Sequence, residues 1–415
     1  MSKTVRMAAR GTRRKRPMEY SMLYTATLCM LAAGAVMVYS ASSAESLLQG
    51  PGDPSYYLKR YVACGLIGLV VLHALSRHGL AAVRAATPVL LLASFALTLA
   101  VMLPGAGVTA NGATRWLAAG PLQFQPSELL KLSLVLYAAQ LLAARPDSTR
   151  TIGGLAKPLL LVVGAACALL MTQPDMGTTL VICFAIFSLL LAAGTPVRHL
   201  ALIFGTLAFL ALVVALLEPY RRARLTSFVD PFSDAGGAGF QGVQALTAVG
   251  SGGLFGVGLG ESVQKIFYLP EAHTDMILAI IGEELGLFGL LGVISLYGML
   301  GYAGMRTAQL ARDRYSKLLA AGITSLVLAQ ASLNFFAVLG MAPLTGVPLP
   351  FISYGSTNLI VMMGGMGLLL NVAASGGRPA RSRPRLRAIE GGRGGEGRDR
   401  RRRHGGSRRA GARGR

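Results

Sequence analysis

The chain has 415 residues, 53% of them hydrophobic and only 14% charged, with a mean hydropathy of +0.54. That balance excludes a soluble globular domain and places the sequence among polytopic membrane proteins. The net charge of +22 does not signal a nucleic-acid binder: nineteen of those charges sit in two tails, residues 1–18 and 376–415, and a basic tail beside a membrane span fixes topology or touches anionic lipid.

Apolar runs long enough to cross a bilayer, or nearly so, recur at 20–41, 60–76, 84–104, 126–144, 157–172, 177–195, 198–217, 275–304, 318–340 and 351–374. The first has the basic flank of a signal peptide but the length of a span. The fifth is short, which predicts a tilt or a kink. Lys and Arg concentrate in alternate connections, including Arg77 and Arg84, then Arg145, Arg150 and Lys157, then Arg306, Arg312, Arg314 and Lys317. By the positive-inside rule, these connections and both termini are cytoplasmic.

The expected fold class is therefore an all-α polytopic membrane protein with ten transmembrane helices and a large extracytoplasmic loop, 218–274, between helices 7 and 8. Residues 1–18 read as a basic cytoplasmic tail and 19–374 as the membrane domain. Residues 375–415 are Arg/Gly-rich, cannot bury a core, and read as a disordered cytoplasmic tail. Cys29, Cys64, Cys167 and Cys183 lie inside apolar runs without CxxC spacing and read as small hydrophobes.

The unusual polar sequence falls on the extracytoplasmic side of this scheme. In "RWLAAGPLQFQPSELLKL" (115–132), Gln125-Pro126-Ser127-Glu128 is a helix start with Pro near N1 and Glu near N3. Lys131 then lies about 9 Å along that helix and needs a partner. Glu128, three residues away on the same face, is one candidate; Asp275 on another helix is the other. Trp116 serves either as an interfacial anchor or as a platform for a sugar ring. "TQPDMGTT" (172–179) makes a tight turn from which Gln173 and Asp175 can project into a cavity.

The glycine-dense stretch "AVGSGGLFGVGLGESVQK" (248–265) lacks the GK[ST] of a nucleotide loop. It reads either as a flexible loop or as one whose backbone N–H groups hold an anion such as a pyrophosphate, helped by Arg221, Arg222, Arg224 and Lys265. In "LPEAHTDMILAIIGEEL" (269–285), Asp275 stands at the mouth of an apolar helix. Glu283 lies about 12 Å deeper, too far for a paired-carboxylate hydrolase, which needs roughly 5–9.5 Å. Glu284 points to the opposite face, and Glu271 stands nearer. A lone general base with a cationic neighbour, Asp275 with Lys131, fits better, against the alternative of a buried Asp–Lys clamp with no chemistry.

Five segments in order, "VYSASSA" (38–44), "RW…QPSELLKL" (115–132), "QPDMGTT" (173–179), "GVGLGESVQKIFYLPEAHTDMILAIIGEELGL" (256–287) and "TGVPLPFISYGST" (345–357), resemble the SEDS family (shape, elongation, division and sporulation). The wording is that of the FtsW type more than of RodA. The resemblance covers about residues 20–374. It implies a peptidoglycan glycosyltransferase that polymerises lipid II into β-1,4-linked strands at the outer face of the cytoplasmic membrane, at the division septum.

It further implies that Asp275, the Asp of the HTD motif, is essential, with Trp116 and Lys131 matching family positions. Asp275 and Lys131 are then the catalytic candidates. Arg115, Trp116, Gln125, Ser127, Glu128, Gln173, Asp175, Arg222, Arg224, Lys265, Glu271 and His273 are the substrate-binding ones. Expected partners are lipid II, the undecaprenyl-linked chain, a class B penicillin-binding transpeptidase and other divisome membrane proteins, with no nucleic acid. No cofactor or protein metal site is implied; a divalent cation at the pyrophosphate is the one group the chemistry admits. The alternatives are a RodA-like elongation polymerase, a lipid II flippase, and a scaffold for a transpeptidase. Two departures stand out. Met276 follows the HTD motif where the family has Phe, and Ser356 replaces a Gly, with an expected loss of backbone freedom before the last span.

Overall fold

The computed structural model describes residues 17–376 apart from 51, 106, 111, 112, 120, 121, 218–221, 223–225 and 238. Both basic tails up to residue 16 and from 377, together with Arg221 and Arg224, lie outside the described residues. The helices are α1 (Met18–Leu48), α2 (Tyr56–Arg77), α3 (Leu80–Ala100), α4 (Pro126–Ala144), α5 (Ile152–Thr172), α6 (Met176–Ala192), α7 (Val197–Leu217), α8 (Phe240–Ser251), α9 (Ile277–Leu310), α10 (Arg314–Val338) and α11 (Ser356–Gly376). Among the described residues, eight of these are long and apolar enough to cross a membrane: α1 to α5 and α9 to α11. The apolar helices α6 and α7 follow them in character, whereas α8 is a short helix within the long loop.

The helix starts follow local chemistry. Pro126 opens α4 at its first position, where no N–H is needed. Asp175 caps α6 by accepting from the Thr178 amide at 3.1 Å, and Asp313 caps α10 through the Ser316 amide at 2.9 Å. The fifth span, where a tilt or a kink is expected, carries a π-type turn over Ala156–Leu160, centred on Pro158, which has no N–H to give. Tyr137 on α4 donates to the Pro158 carbonyl at 3.0 Å. At the α1–α2 turn, the Lys59 ammonium together with the Ser55 hydroxyl and amide holds the Asp53 carboxyl down to about 2.

The all-α expectation needs one correction. Residues between α3 and α4 form a three-stranded antiparallel sheet, β1 (Gly107–Ala110), β2 (Ala113–Ala119) and β3 (Leu122–Phe124), in the order β1-β2-β3. Val108 faces Trp116 and Leu117 faces Phe124. The sequence carries the signal: Asn111-Gly112 between two β-prone runs is the strongest short-range hairpin cue.

Helix α10 is the axle. It packs on α4, α6, α9 and α11, while α9 also packs along α1, and α2 along α11. Helix α9 is broken at Gly286, with φ 64° and ψ −159°, a region essentially reserved for glycine. The break leaves the Glu283 and Glu284 carbonyls without their helical donors. The glycine-dense segment supplies substitutes: Val257 N–H donates to Glu283 O at 3.0 Å and Gly258 N–H to Glu284 O at 3.1 Å. In return, Leu287 and Phe288 N–H donate to the Gly253 and Leu254 carbonyls. The loop thus replaces one turn of helix, as buried backbone demands.

A methyl group on Gly286 would stand 2.4 Å from Gly256 N and 2.6 Å from Leu254 O. Gly286→Ala is therefore expected to destabilise the protein by at least about 1–3 kcal/mol, the strain of that backbone region alone. A thermal melt of the detergent-purified variant checks this as a clear fall in Tm.

Candidate active site

The segment between α10 and α11, "TGVPLPFISYG" (345–355), turns back into the bundle, and Pro348 and Pro350 deprive it of two donors. Its carbonyls are met by side chains. Asn334 on α10 donates to Val347 O at 2.9 Å, and Gln330, one turn earlier, donates to Pro348 O at 2.8 Å. Tyr297 on α9 donates to Pro350 O, and Tyr61 on α2 to Phe351 O. Gly177 at the start of α6 lets the strap close in: a Cβ there would lie 2.5 Å from Thr345 O. Ser356 begins α11 and neither it nor Gly355 has a positive φ, so the serine removes no freedom that the backbone uses. Met276 is fully buried beside Asp275 and fills apolar volume.

Asp275 lies at this strap, 9% exposed, in the turn that leads into α9. A Cβ on Gly346 would stand 3.8 Å from its Oδ2. Thr274 Oγ1 donates to Glu271 Oε2 at 2.7 Å and stands 3.3 Å from Asp275 Oδ1. Asn334 Nδ2 also donates to the Asp275 carbonyl at 2.7 Å. Glu271 adopts φ 56°, and its carbonyl accepts from the Thr274 and Met276 amides, which winds the turn tightly. His273 is buried, packed against Tyr57 with centroids 4.3 Å apart and Tyr354 at 5.7 Å, with Nδ1 3.2 Å from Glu45 Oε2.

Lys131 is 1% exposed, and its salt bridge is with Glu128 Oε1 at 2.9 Å, with a second bond to Gln330 Oε1 at 2.8 Å. The direct Asp275–Lys131 pair is thus replaced by a chain through α10. The near neighbour wins because an i,i+3 carboxylate is already on the same helix face. Asn358 on α11 donates to the second Glu128 oxygen at 2.7 Å, so both carboxylate oxygens are occupied.

The other candidates divide by position. Arg115 on β2 donates to the Gln173 and Pro174 carbonyls and clamps the α5–α6 turn. Gln173 is buried and donates to Thr98 O at 2.7 Å; Asp175 is buried with Oδ1 in its capping bond and Oδ2 unpartnered. Trp116 is half-buried on β2. Gln125 donates its amide N–H to Thr357 Oγ1 at 3.1 Å, and the Ser127 hydroxyl is buried without a partner. Arg222 is exposed in the long loop.

Lys265 and the glycine-dense loop depart from expectation. Lys265 Nζ is withdrawn to 7% exposure and bonds Glu284 Oε1 at 2.8 Å, Gly260 O at 2.6 Å and Ser40 Oγ at 3.3 Å. Ser40 donates to both Glu284 oxygens. The Val263 and Gln264 amides, with the Ser262 hydroxyl, bind Glu283. The anion held by these donors is the protein's own carboxylate. Sequence reading missed Gln330, Asn334, Asn358, Ser40 and Ser262. Gln330 and Asn334 carried a signal, two amides at i,i+4 in an otherwise apolar span.

Fold and site define a class, a multi-pass helical membrane protein with carboxylates gathered at one end of its bundle. The family model of FtsW, RodA and SpoVE, described as cell cycle protein, matches residues 20–376, and the chain belongs to that family. It is 41% identical over 354 residues to a probable peptidoglycan glycosyltransferase FtsW of Thioalkalivibrio sulfidiphilus, covering 84% of this chain and 88% of that one. It is 36% identical over 354 residues to the stage V sporulation protein E of Bacillus subtilis, covering 85% and 96%. Among solved structures, a chain of a peptidoglycan synthase complex is similar with a TM-score of 0.72 and 29% identity, covering 86% of this chain and 98% of that one. The rod shape determining protein RodA of Thermus thermophilus is similar with a TM-score of 0.62 and 28% identity, covering 86% and 97%.

Glu284 is fully buried, so removing its cation leaves an uncompensated charge. Lys265→Met is expected to cost about 3–5 kcal/mol, and adding Glu284→Gln should recover much of that loss. Tm values of the two single variants and the double variant check the coupling.

Proposed function

We propose that this chain is a peptidoglycan glycosyltransferase that polymerises lipid II into β-1,4-linked glycan strands during cell division, with Asp275 as its general base. The observation that carries the reading is the placement of Asp275: a nearly buried carboxylate at a helix mouth, its backbone tied to α10 and its side chain beside Gly346 of the strap. The relatives named for peptidoglycan glycosyltransfer support the reaction class. The higher identity to an FtsW-named relative than to RodA supports division over elongation.

In this reading ten helices span the cytoplasmic membrane, α1 to α7 and α9 to α11, with both termini inside. The Lys and Arg of alternate connections set that orientation. The end carrying Asp275 then faces outward, where lipid II presents its sugars. The acceptor's 4-hydroxyl attacks C1 of the muramic acid at the end of the growing chain, the C1–pyrophosphate bond breaks, and Asp275 takes the hydroxyl proton. The departing pyrophosphate needs positive charge or N–H groups rather than an acid. Lys265 is committed to Glu284, so the exposed Arg222 is a better source than Lys265. Lys131, neutralised by Glu128, acts by fixing α4 against α10 rather than by direct charge on Asp275. Similarity to a chain of a peptidoglycan synthase complex supports pairing with a class B penicillin-binding transpeptidase at the septum.

The test is polymerisation of purified lipid II by the full chain with its transpeptidase. Wild type should yield long strands, and Asp275→Asn, which keeps shape but cannot accept the proton, should yield none while melting within a few degrees of wild type. Strands from Asp275→Asn would remove the general base. None from either protein would favour a flippase or scaffold.

A further inference from the structure

Asn334 has no role in the mechanism so far, yet it makes the most direct connection to Asp275 of any side chain on α10. It is buried, 2% exposed. Its one amide nitrogen donates to two carbonyls from different segments, Asp275 at 2.7 Å and Val347 at 2.9 Å. Its Oδ1 is buried and has no hydrogen-bond partner. A buried unsatisfied acceptor costs about 1–3 kcal/mol, which an apolar side chain of the same size would avoid. Packing alone therefore does not account for an amide here; what the amide supplies is its pair of N–H groups.

Those N–H groups join the two segments that flank the carboxylate, the turn entering α9 and the strap at Gly346. Gln330, one turn along the same face, also bridges two segments, donating to Pro348 O and accepting from Lys131 at its Oε1. The two amides make α10 a ruler along which Asp275, the strap and α4 are set.

We infer that Asn334 is a positioning residue for the proposed reaction: it fixes the Asp275 carboxylate against the strap through the two backbone carbonyls, without itself exchanging a proton. This rests on Asp275 being the catalytic base. A general base must stand within hydrogen-bond reach of its proton, and a displacement of about 1 Å costs on the order of 100-fold in rate.

The experiment measures strand synthesis from lipid II by the full chain with its transpeptidase, for wild type, Asp275→Ala, Asn334→Leu and Asn334→Asp. Asn334→Leu removes both donors at similar volume. Asn334→Asp keeps the shape and sets a carboxylate against the two carbonyls, and it serves if the leucine variant does not fold. The expected result for each Asn334 variant is a kcat lower by about 100-fold, a KM within about threefold of wild type, and a displaced acid limb in the pH profile. Asn371 on α11 bridges the Leu75 and His78 carbonyls in the same manner away from the site, so Asn371→Leu controls for loss of a half-buried bridging amide and should keep its kcat. Active wild type, inactive Asp275→Ala and Asn334 variants with unaltered kcat and pH profile would overturn this inference alone. An equal fall in Asn371→Leu would reduce Asn334 to a packing role. Wild type without strands would overturn both this inference and the proposed function.

Discussion

Four carbonyl groups in one short strap, those of Val347, Pro348, Pro350 and Phe351, take hydrogen bonds from Asn334, Gln330, Tyr297 and Tyr61 on three helices. Away from water, every backbone oxygen without a donor raises the free energy, and two prolines in the strap remove the local remedy. The site depends on this constraint. Holding the strap draws α2, α9 and α10 to one end of the bundle, and the same α10 face carries Lys131's partner Gln330 and Asp275's partner Asn334.

The buried charges are handled in two ways. At Glu128–Lys131 a carboxylate and an ammonium on one helix neutralise each other, and neutral amides from α10 and α11 take up the remaining capacity. At Glu283 and Glu284 there are two carboxylates and one ammonium, and the imbalance is met by hydroxyls and backbone amides instead of a second cation. Both solutions are nearly closed to solvent. Asp275 is buried to a similar degree but sits at the turn into α9 rather than within a helix, the position a group needs if it is to meet a ligand.

Much of the architecture was legible because hydrophobic length is a strong signal: α4 has the expected bounds and α7 is within one residue of them, and Pro126 marks the start of α4 as chemistry requires. The last helix begins at Ser356 rather than 351, because residues 350–353 form a turn, with Phe351 at φ 67° and the Ile352 and Ser353 amides donating to Leu349 O, although the run is apolar enough to read as span. The small sheet went unread although Asn111-Gly112 is a hairpin cue, because hydrophobic length is silent on a short connection between spans. For the site, motif residues marked where Asp275 and Lys131 would be, but sequence spacing along one helix says nothing of which neighbouring helix faces it. Hence Asp275 was expected to pair with Lys131, and Lys265 to remain open. The deciding partners, Gln330, Asn334, Asn358 and Ser40, are uncharged residues whose importance arises only from packing.

The two charge networks also differ in when they can form as the chain is made. Glu128 and Lys131 are three residues apart, so α4 enters the lipid with its charges already matched. Glu284 has its ammonium 19 residues earlier, in the loop just synthesised, and its hydroxyl partner Ser40 lies 244 residues upstream. An unpaired charge at the centre of an inserting helix costs about 2.5–3.5 kcal/mol. The first transmembrane segment must therefore remain in place through six later apolar helices, α2 to α7, before α9 arrives to use it, and the polymer's order of synthesis becomes the order in which its polar interior closes.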